Sequence, residues 1–137
     1  MTGPLLARGA CFCGAVSVTV PAPLRRPVNC HCGECRRLSG AAFTTWISAP
    51  REQATFQNPA ALSTFAPTPN LQRAFCSTCG THVFTADVRL PSIYGFPAGL
   101  FEGEAIAPPA QDYFIEDKAA WHTAHAHPAD ETQAAPR

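Results

Sequence analysis

The stretch QRAFCSTCGTHVFTA, residues 72–86, places two strand-like runs on either side of a turn that carries Cys76 and Cys79. Runs rich in aromatic and β-branched residues that flank a short turn are typical of a β-hairpin. Two cysteines so close together on a turn can span one edge of the sulfur tetrahedron that zinc prefers. The stretch therefore predicts a hairpin whose tip can hold a metal ion.

All seven cysteines of the chain belong to three short clusters. GACFCG contains Cys11 and Cys13, CHCGEC contains Cys30, Cys32 and Cys35, and the hairpin turn contains the remaining pair. An odd number of cysteines fits disulfide pairing poorly, whereas short-spaced cysteines with glycine at the turns favour metal ligation. We therefore predict zinc as the cofactor.

The seven thiols divide most naturally into a group of four and a group of three. The two pairs would close a structural zinc site with four thiolates, Cys11, Cys13, Cys76 and Cys79. The triplet would hold a second zinc and leave one of its four positions open, as catalytic zinc sites do. Spacing alone leaves two alternatives: either pair could complete the shell of the triplet instead, and the second site could be only partly occupied.

Histidines are the other candidate ligands. His31 lies between two cysteines of the triplet, so we expect its side chain to point away from the metal. His82 follows the hairpin turn, where we expect it to pack in a strand or to face solvent. His122, His125 and His127 lie in a segment without an apolar period, and residues 122–137 are predicted to be a disordered tail.

Short strands separated by turn residues account for most of the remaining sequence. Four segments have the pattern or composition of strands: AVSVTV (15–20), AFTTWIS (42–48), ATF (54–56) and LSTFA (62–66). ECRRLSG (34–40) predicts a short helix that ends at Gly40. The predicted fold class is therefore mainly β with little helix. We assign residues 1–8 to an N-terminal extension and residues 9–121 to a single zinc-binding domain.

Charge and hydropathy argue against two kinds of partner. Ten Lys plus Arg balance ten Asp plus Glu, and no basic stripe is present, so we expect no nucleic-acid partner. The basic pair Arg25 and Arg26 is interpreted as solvated surface. No apolar run approaches the roughly 18 residues of a membrane helix, nor the apolar core of a signal peptide, so we expect no membrane partner and a cytoplasmic location.

Five motifs in this order resemble those of the glutathione-dependent formaldehyde-activating enzyme family, also called the centromere protein V family. They run from about Gly9 to Trp121: GACFCGAVSVTV, CHCGECRRLSG, AFTTW, RAFCSTCGTHVF and YFIEDKAAW. The resemblance implies an Mss4-like fold of several small twisted antiparallel sheets, stapled by the structural zinc at the two cysteine pairs. Asp112 and Tyr113 depart from the family pattern, because many relatives have a His-Ile pair there.

The namesake activity of this family is the addition of formaldehyde to glutathione, which is a carbon-sulfur lyase reaction in reverse. The resemblance implies a second zinc at Cys30, Cys32 and Cys35, and our hypothesis is that a substrate thiol fills its open position and adds to a small carbonyl compound. Three residues that follow the last ligand are candidates for substrate binding: Arg36, Arg37 and Ser39. The alternative is a non-catalytic module in which both zinc sites are structural. A homodimer is left open.

Overall fold

The computed structural model describes residues 5–102, 106–109 and 111–124. These ranges contain ten strands in two sheets and one seven-residue α-helix. In chain order the elements are β1 (Leu6–Ala10), β2 (Ser17–Pro21), β3 (Val28–Cys30), α1 (Gly33–Ser39), β4 (Thr44–Pro50), β5 (Thr55–Gln57), β6 (Leu62–Thr68), β7 (Leu71–Cys76), β8 (His82–Asp87), β9 (Ile93–Pro97) and β10 (Gln111–Tyr113). The mainly β prediction is confirmed.

The smaller sheet has the order β1-β2-β5, with antiparallel pairs throughout. In the predicted strand AVSVTV, Val16, Val18 and Val20 are all fully buried, and Ser17 between them is buried as well. β1 pairs with β2 along its whole length, from Leu6 opposite Pro21 to Ala10 opposite Ser17. The sequence analysis did not predict this strand, which begins within the segment assigned to an N-terminal extension.

The larger sheet has the order β10-β3-β4-β9-β8-β7-β6. The predicted hairpin of residues 72–86 is confirmed as β7 and β8, which pair antiparallel. β9 pairs with both β4 and β8, and it therefore merges the strands on either side into one sheet. β10 pairs with β3 in parallel, in contrast to the antiparallel pairing that the sequence led us to expect throughout.

One cluster of buried apolar residues contains members from both sheets. It includes Val18 of β2, Ile47 of β4 and Phe96 of β9, none of them more than 2% exposed. Burial of such side chains supplies the main favourable term in folding, about 25 cal/mol per Å² of apolar surface. Cys11 and Cys76 belong to the same cluster, so the cysteine turns of both sheets are anchored in the core.

Helix α1 follows the cysteine triplet directly. Its first residue is preceded by Cys32, whose sulfur accepts a hydrogen bond from the backbone of Cys35 at 3.4 Å. Gly40 ends the helix with a positive φ of 72°, and its N–H donates to the carbonyl of Arg36 at 2.8 Å. Glycine tolerates this left-handed conformation, which confirms the predicted helix end.

The predicted tail lies outside the described residues from position 125 onward, together with His125 and His127. Within the part of the chain that the structure describes, no helix has the length and apolar character needed to cross a membrane.

Candidate metal centres

The structure brings together four cysteines from two distant turns. Cys11 and Cys13 lie between β1 and β2, whereas Cys76 and Cys79 lie at the tip of the β7-β8 hairpin. Their four sulfurs lie within 4.8 Å of one another, and Cys13 Sγ is 3.7 Å from the sulfurs of Cys11 and Cys76. Zinc-sulfur bonds of about 2.3 Å imply edges of about 3.8 Å in a tetrahedron. The spacing therefore fits a four-thiolate zinc site.

A backbone N–H and a hydroxyl group lie within hydrogen-bond distance of two of these sulfurs. The backbone N–H of Val16 donates to Cys11 Sγ at 3.3 Å, and Thr81 Oγ1 lies 3.2 Å from Cys79 Sγ. The contact with Thr81 lowers the pKa of Cys79 to about 5. Gly80, between those two residues, has a positive φ of 81°. These contacts favour the thiolate form of Cys79, the form in which cysteine binds metal.

The second cluster contains Cys30, Cys32 and Cys35, with their sulfurs within 4.8 Å of one another. Cys30 ends β3, Cys32 precedes α1, and Cys35 lies in the first turn of that helix. The sulfurs of Cys30 and Cys32 are 3.4 Å apart, and Cys30 and Cys35 are buried. The three donors fit the face of a sulfur tetrahedron whose fourth corner is not supplied by a cysteine.

Several neighbouring groups stabilise the thiolate form of Cys35. Its hydrogen bond with Cys30 lowers the pKa of Cys35 to about 5 and raises the pKa of Cys30. Trp46 Nε1 donates to Cys35 Sγ at 3.4 Å, and Arg73 Nη2 lies 3.9 Å from the same sulfur. Both contacts contribute to this lowered pKa of Cys35. The sequence analysis assigned no role to Trp46 or Arg73, which lie outside the triplet, 11 and 38 positions from Cys35 in the chain.

His82 lies beside Arg73 and not among the sulfurs. Its ring packs edge-on against Trp46, with centroids 5.3 Å apart, and its Nδ1 is 3.4 Å from Arg73 Nη1. Burial and the guanidinium charge lower the pKa of His82 to about 4, so the ring is neutral at pH 7. This placement agrees with the expectation that His82 packs within its strand.

His31 also points away from the sulfurs, as expected. The side chain is fully buried, and its Nε2 lies 2.7 Å from Asp112 Oδ1, one of the two residues that depart from the family pattern. Its backbone N–H donates to the carbonyl of Tyr113 at 3.0 Å. The rings of Phe43 and His122 pack against it, at 5.0 and 5.6 Å between centroids. His122 is therefore part of this packed group, contrary to its assignment to a tail.

A cavity of about 670 Å³ opens onto the triplet, and Cys30, Cys32 and Cys35 form part of its lining. Four of the ten basic residues of the chain line it, but only two of the ten acidic residues do. The six charged residues are Arg25, Arg26, Arg73, Arg89, Glu34 and Asp87. Arg73 pairs with Glu34 and Arg89 pairs with Asp87, so the excess positive charge of the lining comes from Arg25 and Arg26 and favours an anionic ligand in the cavity.

The arginines of this lining differ from those proposed from the sequence. Arg36 Nε donates to the carbonyl of His31 at 3.3 Å, Arg37 is exposed, and Ser39 Oγ donates to the carbonyl of Cys35 at 2.7 Å. None of these three is among the described residues that line the cavity. The loop before β3 instead brings to the cavity the pair interpreted as solvated surface, Arg25 and Arg26.

Comparison with known proteins supports the resemblance. The profile of a family described as glutathione-dependent formaldehyde-activating enzyme matches residues 6–117. A protein of Halomonas elongata, named as a proposed glutathione-dependent formaldehyde-activating enzyme, is 29% identical over 129 residues, which cover 85% of this chain and 80% of that protein. The crystal structure of a Rhodobacter sphaeroides protein superposes with a TM-score of 0.57 at 26% identity, covering 71% of this chain and 89% of the other. The chain therefore belongs to the glutathione-dependent formaldehyde-activating enzyme family.

Proposed function

We propose that the protein is a zinc-dependent enzyme that adds a thiol, glutathione or a similar compound, to formaldehyde or another small carbonyl compound. The observation that carries the proposal is the three-cysteine cluster on the wall of a cavity. A closed structural site would need four protein ligands, whereas the described residues supply three here, and the cluster faces a space large enough for a small molecule. The family to which the chain belongs supports the same reaction.

Zinc at the three-cysteine site would supply a thiolate nucleophile at neutral pH, because coordination deprotonates a thiol. In the proposed reaction a carbon-sulfur bond forms, the carbonyl π bond breaks, and the proton of the thiol ends on the former carbonyl oxygen. No electrons are gained or lost overall. The reverse reaction cleaves the same carbon-sulfur bond, which is a lyase reaction.

The residues of the cavity would bind and orient the substrates. Arginine pairs with carboxylates through two parallel hydrogen bonds, so Arg25 and Arg26 are the groups that we propose for a carboxylate of the thiol. Arg36, Arg37 and Ser39 stay predictions for the same role. Holding the sulfur and the carbonyl carbon together in one enclosed site supplies rate enhancement through proximity.

The four-cysteine cluster has a different role in the proposal. It is closed by its own four sulfurs, and Cys11 and Cys76 are part of the apolar core. Structural zinc in small domains contributes an apparent binding free energy of about 10–16 kcal/mol, which is comparable with the whole stability of a domain, about 5–15 kcal/mol. We propose that a zinc ion bound at this site links the two sheets.

Metal analysis of the wild type and a Cys32→Ser variant tests the proposal, together with glutathione-formaldehyde exchange followed by NMR. We expect two zinc ions per wild-type chain and one in the variant, an intact fold, and loss of accelerated exchange. If the variant loses its fold, the triplet is structural and the non-catalytic alternative holds. If the metal content falls but the wild type never accelerates exchange, the assignment of substrates is wrong.

A further inference from the structure

Arg73 lies on the strand that leads to one cysteine cluster and contacts a sulfur of the other. It lies on β7, three residues before Cys76 of the four-cysteine cluster, and its side chain is only 7% exposed. Its guanidinium reaches the other cluster, with Nη2 3.9 Å from the sulfur of Cys35. A buried cation thus faces a sulfur of the three-cysteine cluster.

Neighbouring side chains hold this guanidinium in place. Glu34 Oε2 accepts hydrogen bonds from Arg73 Nε at 3.2 Å and from Nη2 at 2.7 Å. The guanidinium also lies over the ring of Trp46, 5.3 Å from its centroid, and Nη1 is 3.4 Å from His82 Nδ1. Contacts on several sides fix the orientation of this long side chain and offset the entropy that it loses on ordering.

The charge of the three-cysteine site explains why a cation is needed there. Three thiolates carry one more negative charge than a divalent metal ion neutralises, and an incoming thiolate would add another. Excess charge in buried surroundings is costly unless an opposite charge is close, because Coulomb interactions strengthen as the effective dielectric constant falls. Arg73 supplies that charge next to Cys35.

We propose that Arg73 is a positioning residue that compensates the charge of the three-cysteine site. It strengthens the hold of the site on a divalent metal ion and allows an anionic thiolate to join the three cysteines. The first effect is independent of the reaction. The second rests on the proposed function, and the two are tested separately.

Chelator competition with Zn²⁺ on the full-length protein tests the first effect, with the four-cysteine site as an internal reference. We expect Arg73→Gln to weaken zinc binding at the three-cysteine site about 10- to 100-fold, the usual effect of changing a residue that supports a metal ligand. Arg73→Lys keeps the charge and should recover most of the affinity. Glu34→Gln breaks the ion pair but keeps the cation beside Cys35, and it should not weaken binding. Arg89→Gln is the matched control, because Arg89 lines the same cavity but pairs with Asp87.

Two results would overturn the first effect. One is unchanged zinc affinity in Arg73→Gln. The other is a loss in Glu34→Gln equal to that in Arg73→Gln, because the ion pair would then matter for structure alone. If Arg73→Gln does not fold, the zinc affinities of Arg73→Lys and Glu34→Gln test the first effect. Retained zinc in both Arg73→Lys and Glu34→Gln supports the proposal, and loss in both refutes it.

Calorimetric titration of the zinc-loaded protein tests the second effect, with glutathione and S-methylglutathione as probes. The two probes share their carboxylates, but only glutathione can present a thiolate. We expect Arg73→Gln to weaken glutathione binding and to leave S-methylglutathione binding unchanged. Equal weakening of both would assign Arg73 to carboxylate binding and refute its role toward the thiolate. If wild-type protein binds neither probe, the second effect fails with the proposed function, whereas chelator competition still decides the first.

Discussion

The four-cysteine cluster should contribute far more to stability than the three-cysteine cluster. A Cys13→Ser/Cys79→Ser double variant removes two zinc ligands while leaving the buried Cys11 and Cys76 in the core. Cys13 is exposed and Cys79 half-buried, so little apolar packing is lost with them. The effect of the double variant therefore reports on the metal cross-link itself.

The magnitude follows from the length of chain that the cross-link closes. Cys13 and Cys76 are 63 residues apart. In the chain-entropy treatment of cross-links, closing a loop of that length stabilises a protein by about 4 kcal/mol. A typical domain has a free energy of unfolding of only about 5–15 kcal/mol, so the double variant should lose a large part of its stability. The triplet spans six residues, and Cys32→Ser should lose much less.

Urea unfolding followed by circular dichroism measures both variants against the wild type. We expect a decrease of at least about 4 kcal/mol for the double variant, or no folded state. Cys32→Ser should stay folded, with its midpoint shifted by less. Equal midpoints for the double variant and the wild type would refute the assignment of a structural role to the four-cysteine cluster.

Three further predictions concern single side chains. The pKa of His82 is lowered to about 4, so the unfolded chain binds a proton more readily than the folded protein between pH about 6.5 and 4. The stabilisation by neutral His82 is therefore complete above pH about 6.5 and is lost as the pH falls toward 4. Between pH 7 and 5.5 the free energy of unfolding of the wild type should fall by about 1 kcal/mol more than that of His82→Gln, as measured by urea unfolding. Gly80→Ala should destabilise by about 1 kcal/mol because φ is 81°, whereas Gly99→Ala, whose added methyl meets no neighbour, should stay close to the wild type in thermal unfolding. Phe96→Ala should cost about 3–5 kcal/mol since the ring is fully buried, and Phe12→Ala, at a residue 93% exposed, less than about 0.5 kcal/mol; similar values for the two would contradict the assigned core.

Features encoded within a few residues could be predicted from the sequence. The β7-β8 hairpin follows from strand-like runs on both sides of a cysteine turn, and the end of α1 follows from Gly40. The spacing of the cysteines predicts the three clusters but leaves open which pair joins which site, and the fold brings the two pairs together and leaves the triplet separate. These signals are local, and tertiary packing did not override them.

Features that depend on distant pairing could not be predicted. β1 is a strand because it pairs with β2. β10 pairs in parallel with β3, which lies far earlier in the chain. The contacts of Trp46 and Arg73 with Cys35 join residues 11 and 38 positions apart. An arginine before a cysteine turn is visible in the sequence, but nothing there shows that it serves a different cysteine cluster.

The number of sulfur ligands at each zinc tests the central claim most directly. Zinc X-ray absorption spectroscopy on the zinc-loaded wild type and on the Cys32→Ser variant, each with and without glutathione, separates the two sites. For the wild type we expect the average sulfur count to correspond to one zinc with four sulfur ligands and one with three, and to rise to four at both when glutathione is added. The variant should show only the four-sulfur site and no response to glutathione. A wild-type sulfur count that glutathione does not change would contradict the account.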